Sequence, residues 1–436
     1  MLLSHQVSEK RSLSRAQQLR EAVLLVFCEP LPTEYMRLVC LSRRDWQNLL
    51  HWLDTSGLAL YFFDRLRDLD LLEVLPSSVL ARLKENLADN SERINVMIAE
   101  SVSIQRRFQE AHVSYAVLKG FSLSPISVPN LQLRSQLDLD FLVSEENAHE
   151  ARRIIEDTGY RLKVISGRTW EFKASEDRPS GMKGLYKTGM IRTVELHLET
   201  AQEGGASLLS RSQRIPFHGV SMPVLSPIDL FLGQGLHLYK HLCSEFSRTF
   251  HAIEFRRHVI ARRDDKAFWI SLKEQVGDEP GMCARLGIAI HLTSCVTGRF
   301  APEALTCWTV DRLPAAARLW VDVYGPRILL ASYPGSKLYL LLQKELEPTG
   351  VPAKRSLYKA LLPRRLPPAI THPASGEKLL GRIKRYMREL HNVLFRFRFH
   401  LSEGIRYLCE SILWRQHRNE LSQWLKEARA ILKSSE

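Results

Sequence analysis

Apolar residues recur along this chain at two different periods, and the change of period divides it. Up to about residue 110 the period is helical. Trp46, Leu49, Leu50 and Leu53 fall on one face, and the run from Val79 to Glu110 carries Leu83, Leu87, Ile94, Ile98, Val102 and Phe108 with neither glycine nor proline inside it. Such a stripe reads as packing surface rather than as a groove. Between about 111 and 225 the runs become short and β-prone. Tyr115 to Leu118 leads into Lys119-Gly120, Pro125 and Pro129 bracket a loop, and Arg134 precedes the next strand. A helix is expected from Glu145 to about Thr158, with Ala148, Ala151, Ile154 and Ile155 inward and Gly159 as its C-terminal cap. Further strands are expected over Tyr160 to Ile165, Thr169 to Ala174 and Thr193 to Glu199.

Two of these strands carry an unusual polar face. In Ser135 to Val143, alternation sends Leu137, Leu139, Phe141 and Val143 one way and Asp138 and Asp140 the other. Aspartate is depleted in strands. Two on one face either mark the solvated side of an edge strand or form a carboxylate pair able to share a hard cation such as Mg²⁺. In the later strand, Val194, Leu196 and Leu198 oppose Glu195, His197 and Glu199, which gives a second polar face.

After Leu225 the helical period returns, with Ser226 placed to cap and Pro227 to occupy the first helical position. Within this region, about 226 to 335, His237 and His241 share a helix face beside Lys240. With no third ligand nearby in the sequence, a satisfied or solvent-facing pair is the commoner meaning. The stretch from 336 to 375 carries Pro348, Pro352, Pro363, Pro367, Pro368 and Pro373 and reads as an extended or irregular connection. The remainder, 376 to 436, reads as two basic amphipathic helices broken near Gly404. They are expected to fold back on the body, with contact to an acidic surface as the other use of such a segment. The chain thus divides into a helical lead-in (1–110), a mixed core (111–225), a helical region closing a cleft (226–335), the connection and the tail.

Composition adds a bias. The 61 Lys and Arg against 48 Asp and Glu leave a formal charge of +13, which favours polyanionic partners such as nucleotides or nucleic acid. Seven scattered cysteines with no C-x-x-C pair indicate neither a zinc framework nor disulfides, so a reducing, cytoplasmic setting is expected. No secretory pattern opens the chain, and no run of eighteen apolar residues suggests a membrane span. G-x-G-x-x-G after a strand, G-x-x-x-x-G-K-[ST], H-E-x-x-H and G-x-S-x-G are all missing, which lowers the weight of the enzyme classes they mark.

A glycine at a turn lets backbone N–H groups approach a phosphate, and an adjoining lysine supplies a point charge. Lys119-Gly120, the Asp138/Asp140 pair and Glu195 on a later strand therefore make up equipment for metal-dependent nucleotidyl transfer. The passage Val117-Leu118-Lys119-Gly120, Arg134, Asp138 to Val143, Gly159-Tyr160 and Val194-Glu195-Leu196-His197 resembles the bacterial nucleotidyltransferase family proteins of the polymerase-β-like superfamily. The likeness extends over most of residues 40 to 300. It implies an α+β fold, a small mixed sheet with helices embedded in largely α-helical flanks. It also implies Mg²⁺-dependent transfer of NMP from an NTP to a hydroxyl of a small molecule, a protein or a tRNA. By that resemblance Asp138, Asp140 and Glu195 are the catalytic, metal-ligating acids; Glu199, which shares the face of Glu195, is the alternative third acid. Lys119, Gly120, Ser122 and Arg134 face the triphosphate, and His197, His237 and Lys240 are candidates for substrate contact. Gly120 is followed by Phe121 and then Ser122, whereas the wider superfamily has serine or glycine directly after the glycine. A catalytically idle relative serving as a binding or assembly module, with the basic tail as its contact surface, is the other reading.

Overall fold

The computed structural model describes residues 13–39, 41–174, 184–189, 192–199, 207–244, 248–332, 335–351, 357–361 and 379–434, with the side chains of 428–434 left aside. Helices α1 (Arg15–Leu25), α2 (Arg43–Ser56), α3 (Ala59–Asp68) and α4 (Ser77–Glu110) form the lead-in. Ser42 caps α2 and, with Asp45, completes a capping box, while Gly57 ends the helix in the left-handed region at φ 76°. Strands β1 (Tyr115–Val117) and β2 (Asp138–Val143), helix α5 (Ala148–Asp157), and strands β3 (Tyr160–Ser166), β4 (Thr169–Ala174), β5 (Thr193–Leu198), β6 (Gln213–Phe217) and β7 (Val220–Val224) follow. The chain then returns to helices: α6 (Pro227–Leu242), α7 (Phe250–Ala261), α8 (Lys266–Val276), α9 (Pro280–Thr297), α10 (Glu303–Thr306), α11 (Ala315–Leu329), α12 (Tyr339–Leu346), α13 (Leu357–Leu361) and α14 (Leu379–Ser434).

The strands form a single mixed sheet in the order β3-β4-β5-β2-β1-β7-β6. The aspartate strand is therefore central. It runs antiparallel to β1, with Val117 opposite Phe141, and parallel to β5, with Asp140 opposite Glu195. A solvated edge is excluded by that placement. One face of the sheet buries Leu139, Phe141, Val143, Phe172, Val194 and Leu196 against Ile94, Met97, Val102 and Phe108 of α4 and Ile154 and Ile155 of α5. Full burial of each such side chain stabilises the fold by about 1.5–3 kcal/mol. The other face carries Asp138 and Asp140 and ends at Leu142, which packs with Ala116, Leu123 and Leu225.

The hairpin β6–β7 was not expected from the sequence, because Pro216 and Pro223 interrupt its alternation. Its two-residue turn, His218 at φ 43° and Gly219 at φ 81°, supplies the positive φ values that tight hairpins need. β6 is an edge strand, where proline is tolerated.

The helical lead-in and the helices after residue 226 share one core, in which Trp46, Leu53 and Phe62 lie with Phe231, Phe255, Leu286 and Trp320. The first part of the expected irregular connection belongs to this core too. Residues 339–346 are helical and bury Tyr339, Leu340, Leu341, Leu342 and Leu346, since the first proline of that stretch is Pro348. Residues 352–356 and 362–378 of the connection lie outside the described residues. The tail is one helix of 56 residues and not two. Gly404 sits within it, and an interior glycine costs only about 1 kcal/mol relative to alanine. The turn on either side is fixed to the body: the Glu403 carboxylate accepts from Ser336 Oγ and Lys337 N, both at 2.9 Å, and Trp414 Nε1 donates to Glu345 at 3.0 Å.

Trp414 is the largest buried side chain of that anchor. Trp414→Ala is expected to cost about 3–5 kcal/mol and to expose α14 to limited proteolysis at protein concentrations that leave the parent intact. An unchanged melting temperature and digestion pattern would show that the helix is not held there.

Candidate active site

Asp140 is the geometric centre of the site. Its Oδ1 accepts from Lys119 Nζ at 3.0 Å and lies 2.9 Å from His197 Nε2. His197 Nε2 in turn lies 3.3 Å from a Glu195 oxygen, and Thr169 Oγ1 holds the other ring nitrogen at 3.3 Å. The register explains the convergence: Asp140 is opposite Glu195, and His197 is two residues on from Glu195, so all three project from one sheet face. One ligand atom from each of Asp140, Glu195 and His197 falls within 4.8 Å of the others. His197, a candidate for substrate contact from the sequence, instead bridges carboxylates of the two strands, Asp140 on β2 and Glu195 on β5. Glu199 is turned elsewhere, accepting from Ser207 Oγ at 2.7 Å and Leu209 N at 3.1 Å.

The electrostatics divide the two aspartates. Burial works against ionisation of Asp140, but Lys119 and His197 outweigh it and hold the carboxyl well below its ordinary range. Burial and the adjacent Asp140 charge push Asp138 up to about 6. Burial likewise opposes charge on Lys119 and His197, and in each the neighbouring carboxylates prevail and raise the pKa.

Lys119 and Asp138 open onto a cavity of about 520 Å³. Its walls come from both halves of the helical body and from the loop before β2: Trp52, Asp54 and Gly57 at the end of α2, Arg134 and Gln136, and His237, His241, Arg248 and His251. Among the described residues three cationic side chains, Lys119, Arg134 and Arg248, face it, against the acids Asp138 and Asp54. Asp140, Glu195 and His197 stand behind Lys119 and do not line it.

The remaining expected phosphate contacts separate. Arg134 lines the cavity, but its Nε donates to the buried Glu254 at 2.8 Å and its Nη1 to Gln136 at 3.3 Å. Tyr61 of α3 donates to the same Glu254 oxygen at 2.8 Å, so this network ties the lead-in, the pre-strand loop and α7 together. Gly120 and Ser122 are buried behind the cavity. Gly120 has φ 55°, and a Cβ there would collide with the Gln136 side-chain amide, so packing as well as backbone conformation requires glycine. Ser122 Oγ donates to the Lys119 carbonyl at 3.1 Å, while Phe121 fills the core against Phe217 with ring centroids 5.3 Å apart. Lys240 is exposed and outside the cavity, whereas His237 and His241, one turn apart, lie on its wall.

Sequence reasoning missed Arg248, His251 and Glu254. All three follow the aspartate strand by more than 100 residues and reach the site only because α7 packs back on the loop before β2, so no local spacing could mark them.

Residues 42–298, more than half of the chain, match the family model described as an uncharacterised nucleotidyltransferase. The chain belongs to that family. The α+β architecture, with a mixed sheet embedded in helices, is thus the setting of a nucleotidyltransferase core. No curated protein matches this nucleotidyltransferase. Among solved structures, the antibiotic-resistance factor ANT(2'')-Ia is 11% identical, with a match that covers 42% of this chain and 97% of that one at a TM-score of 0.29. An antigenic nucleotidyltransferase-like protein from Paracoccidioides brasiliensis is 13% identical, with 50% and 97% covered and a TM-score of 0.28.

The two aspartates of this nucleotidyltransferase should respond oppositely to loss of charge. Asp138 is raised, so the native state holds its proton above the unfolded value, and stability falls as pH rises from ~4 to about 6. Asp138→Asn should therefore raise the melting temperature at pH 7 and flatten that slope. Asp140 is depressed, so its contribution is present above ~4 and lost on acidification. Asp140→Asn should cost about 1.5–3 kcal/mol, the range for a hydrogen bond to a charged group, because Lys119 loses the carboxylate that accepts its hydrogen bond. Equal shifts for the two variants would contradict this division.

Proposed function

We propose that this nucleotidyltransferase moves NMP from an NTP to a hydroxyl on an acceptor, with Lys119 and its carboxylate neighbours as the reacting centre. What carries the reading is the meeting, in a chain of this family, of Asp138, Asp140 and Glu195 on one sheet face beside a cavity lined by Lys119, Arg134 and Arg248. The oxygen donors suit a hard divalent cation. Burial first and then repulsion from Asp140 raise Asp138, and the repulsion is what such a cation relieves. Asp138, Asp140 and Glu195 would accordingly hold Mg²⁺. When bound, Mg²⁺ supplies neutralisation of triphosphate charge and alignment of the incoming hydroxyl.

The chain's own residues supply the rest. Lys119 and Arg248 bring positive charge to the phosphates, and Arg134, fixed by Glu254, adds an oriented guanidinium edge to the same wall. The acceptor oxygen bonds to the α-phosphorus, the bond from that phosphorus to the α–β bridging oxygen breaks, and pyrophosphate leaves with the electron pair. Glu195 is the carboxylate assigned the hydroxyl proton, and His197, hydrogen-bonded between Asp140 and Glu195, fixes its position. The net charge of +13 suits a polyanionic acceptor such as tRNA as well as the nucleotide itself.

A second reading, an idle assembly module, draws on α14. Its residues Leu379, Leu380, Ile383, Met387, Leu390 and Leu394 are all exposed on an arginine-rich helix.

Incubating the protein with each labelled NTP, Mg²⁺ and a cell lysate should transfer label to an acceptor in the parent. Transfer should vanish in Asp138→Asn, Asp140→Asn and Glu195→Gln. Mg²⁺ with NTP should raise the parent's melting temperature and not that of the aspartate variants. Lys119→Ala should lose NTP affinity while keeping a response to Mg²⁺ alone. Identical nucleotide and metal responses in parent and variants would leave the assembly module as the better account.

A further inference from the structure

His237, His241 and His251 form a cluster that the carboxylate chemistry does not use. The first two are one turn apart on α6, and His251 is the second residue of α7, so the packing of those helices brings the third ring to the pair. One ring nitrogen from each histidine lies within 4.8 Å of the others. The Nε2 atoms of His237 and His241 are 3.0 Å apart. The His241 and His251 rings stack at 4.5 Å, and His237 meets His251 edge-on at 4.7 Å. Two imidazole nitrogens bound to one tetrahedral zinc at about 2.0–2.1 Å are about 3.3 Å apart, close to the separation of the first pair.

From this geometry we propose that His237, His241 and His251 bind a single Zn²⁺ or similar borderline divalent ion, with its fourth position open to the cavity. The donor set fits: neutral imidazoles suit zinc, copper and nickel rather than Mg²⁺, so this site and the carboxylates select different ions. Its surroundings fit an open site as well. All three histidines line the same 520 Å³ cavity as Lys119 and Asp138, and a three-histidine ion with a free position is the arrangement that binds water or a substrate oxygen. A second group, His291, Cys295 and Asp322, also has ligand-type atoms within 4.8 Å. It does not line this cavity, and His291 Nε2 already lies 2.9 Å from Asp322.

The proposal does not depend on nucleotidyl transfer, and its test is independent of activity. Full-length protein stripped with chelator and titrated with Zn²⁺ should take up one tight equivalent. X-ray absorption of the loaded parent should show a nitrogen shell at about 2.0 Å with scattering from three imidazoles. His237→Gln, His241→Gln and His251→Gln should each weaken binding by about tenfold or more, whereas Asp140→Asn and Glu195→Gln should leave it unchanged. The spectrum of the parent decides the matter even if a histidine variant fails to fold. Absence of a tight equivalent overturns the assignment. So does a sulfur shell, which would put the ion on Cys295, or an oxygen-dominated shell with one imidazole, which would put it on Asp140, Glu195 and His197.

Discussion

A carboxylate buried in the middle of a sheet has to be neutralised from within the protein, and Asp140 sets that condition here. It lies on the fourth of seven strands, flanked by β5 and β1, with almost no access to water. An unpaired charge in such a place would be strongly destabilising. Two side chains meet the demand from opposite sides, Lys119 from just beyond β1 and His197 from β5. The left-handed turn at Lys119 and Gly120, at φ 33° and 55°, is what directs the chain there, and Gln136 closes over the glycine. The turn at Lys119 and the two ion pairs thus answer one electrostatic requirement.

The site also depends on elements far apart in the sequence. Arg134, Glu254 and Tyr61 come from the pre-strand loop, α7 and α3, and meet in a buried hydrogen-bonded network at the cavity wall. The family match begins at Ser42, the cap of α2, and ends at Gly298, just after α9. That span contains every member of the network and every acid of the site. The sheet taken alone would lack the cavity's far wall, including Arg248 and all three clustered histidines.

Much of this was legible in the sequence wherever the signal is local. The 34-residue helix α4, the strand from Thr169 to Ala174 and the cap at Ser226 each follow from period, breakers and capping chemistry within a few residues. The shared face of Asp138 and Asp140 follows from alternation, and so does that of Glu195 and His197. Burial of that face did not follow, because alternation reports which residues share a side and not what covers it. The hairpin β6–β7 is hidden by two prolines, Pro216 on the edge strand β6 and Pro223 on its inner neighbour β7. Gly404 reads as a break in the sequence because nothing local shows that its helix is pinned on both sides, by Glu403 and by Trp414. His251 completes a cluster with a pair whose own spacing was plain, but its arrival depends on the packing of two helices.

Helix α14 bears on how the molecule moves through solution. Its 56 residues measure about 84 Å end to end, whereas a folded body of several hundred residues has a radius of gyration of only about 20 Å. The buried anchors run from Phe399 to Trp414, and the stretch before them exposes nearly every leucine and aromatic it carries. About 30 Å of helix therefore precedes Phe399, the first buried side chain of α14 among the described residues. A helix of that length adds friction out of proportion to its mass. A 50.1 kDa monomer of this shape would leave a sizing column early, at the position of a larger sphere, so mass in solution has to be read from light scattering or sedimentation equilibrium rather than from elution volume.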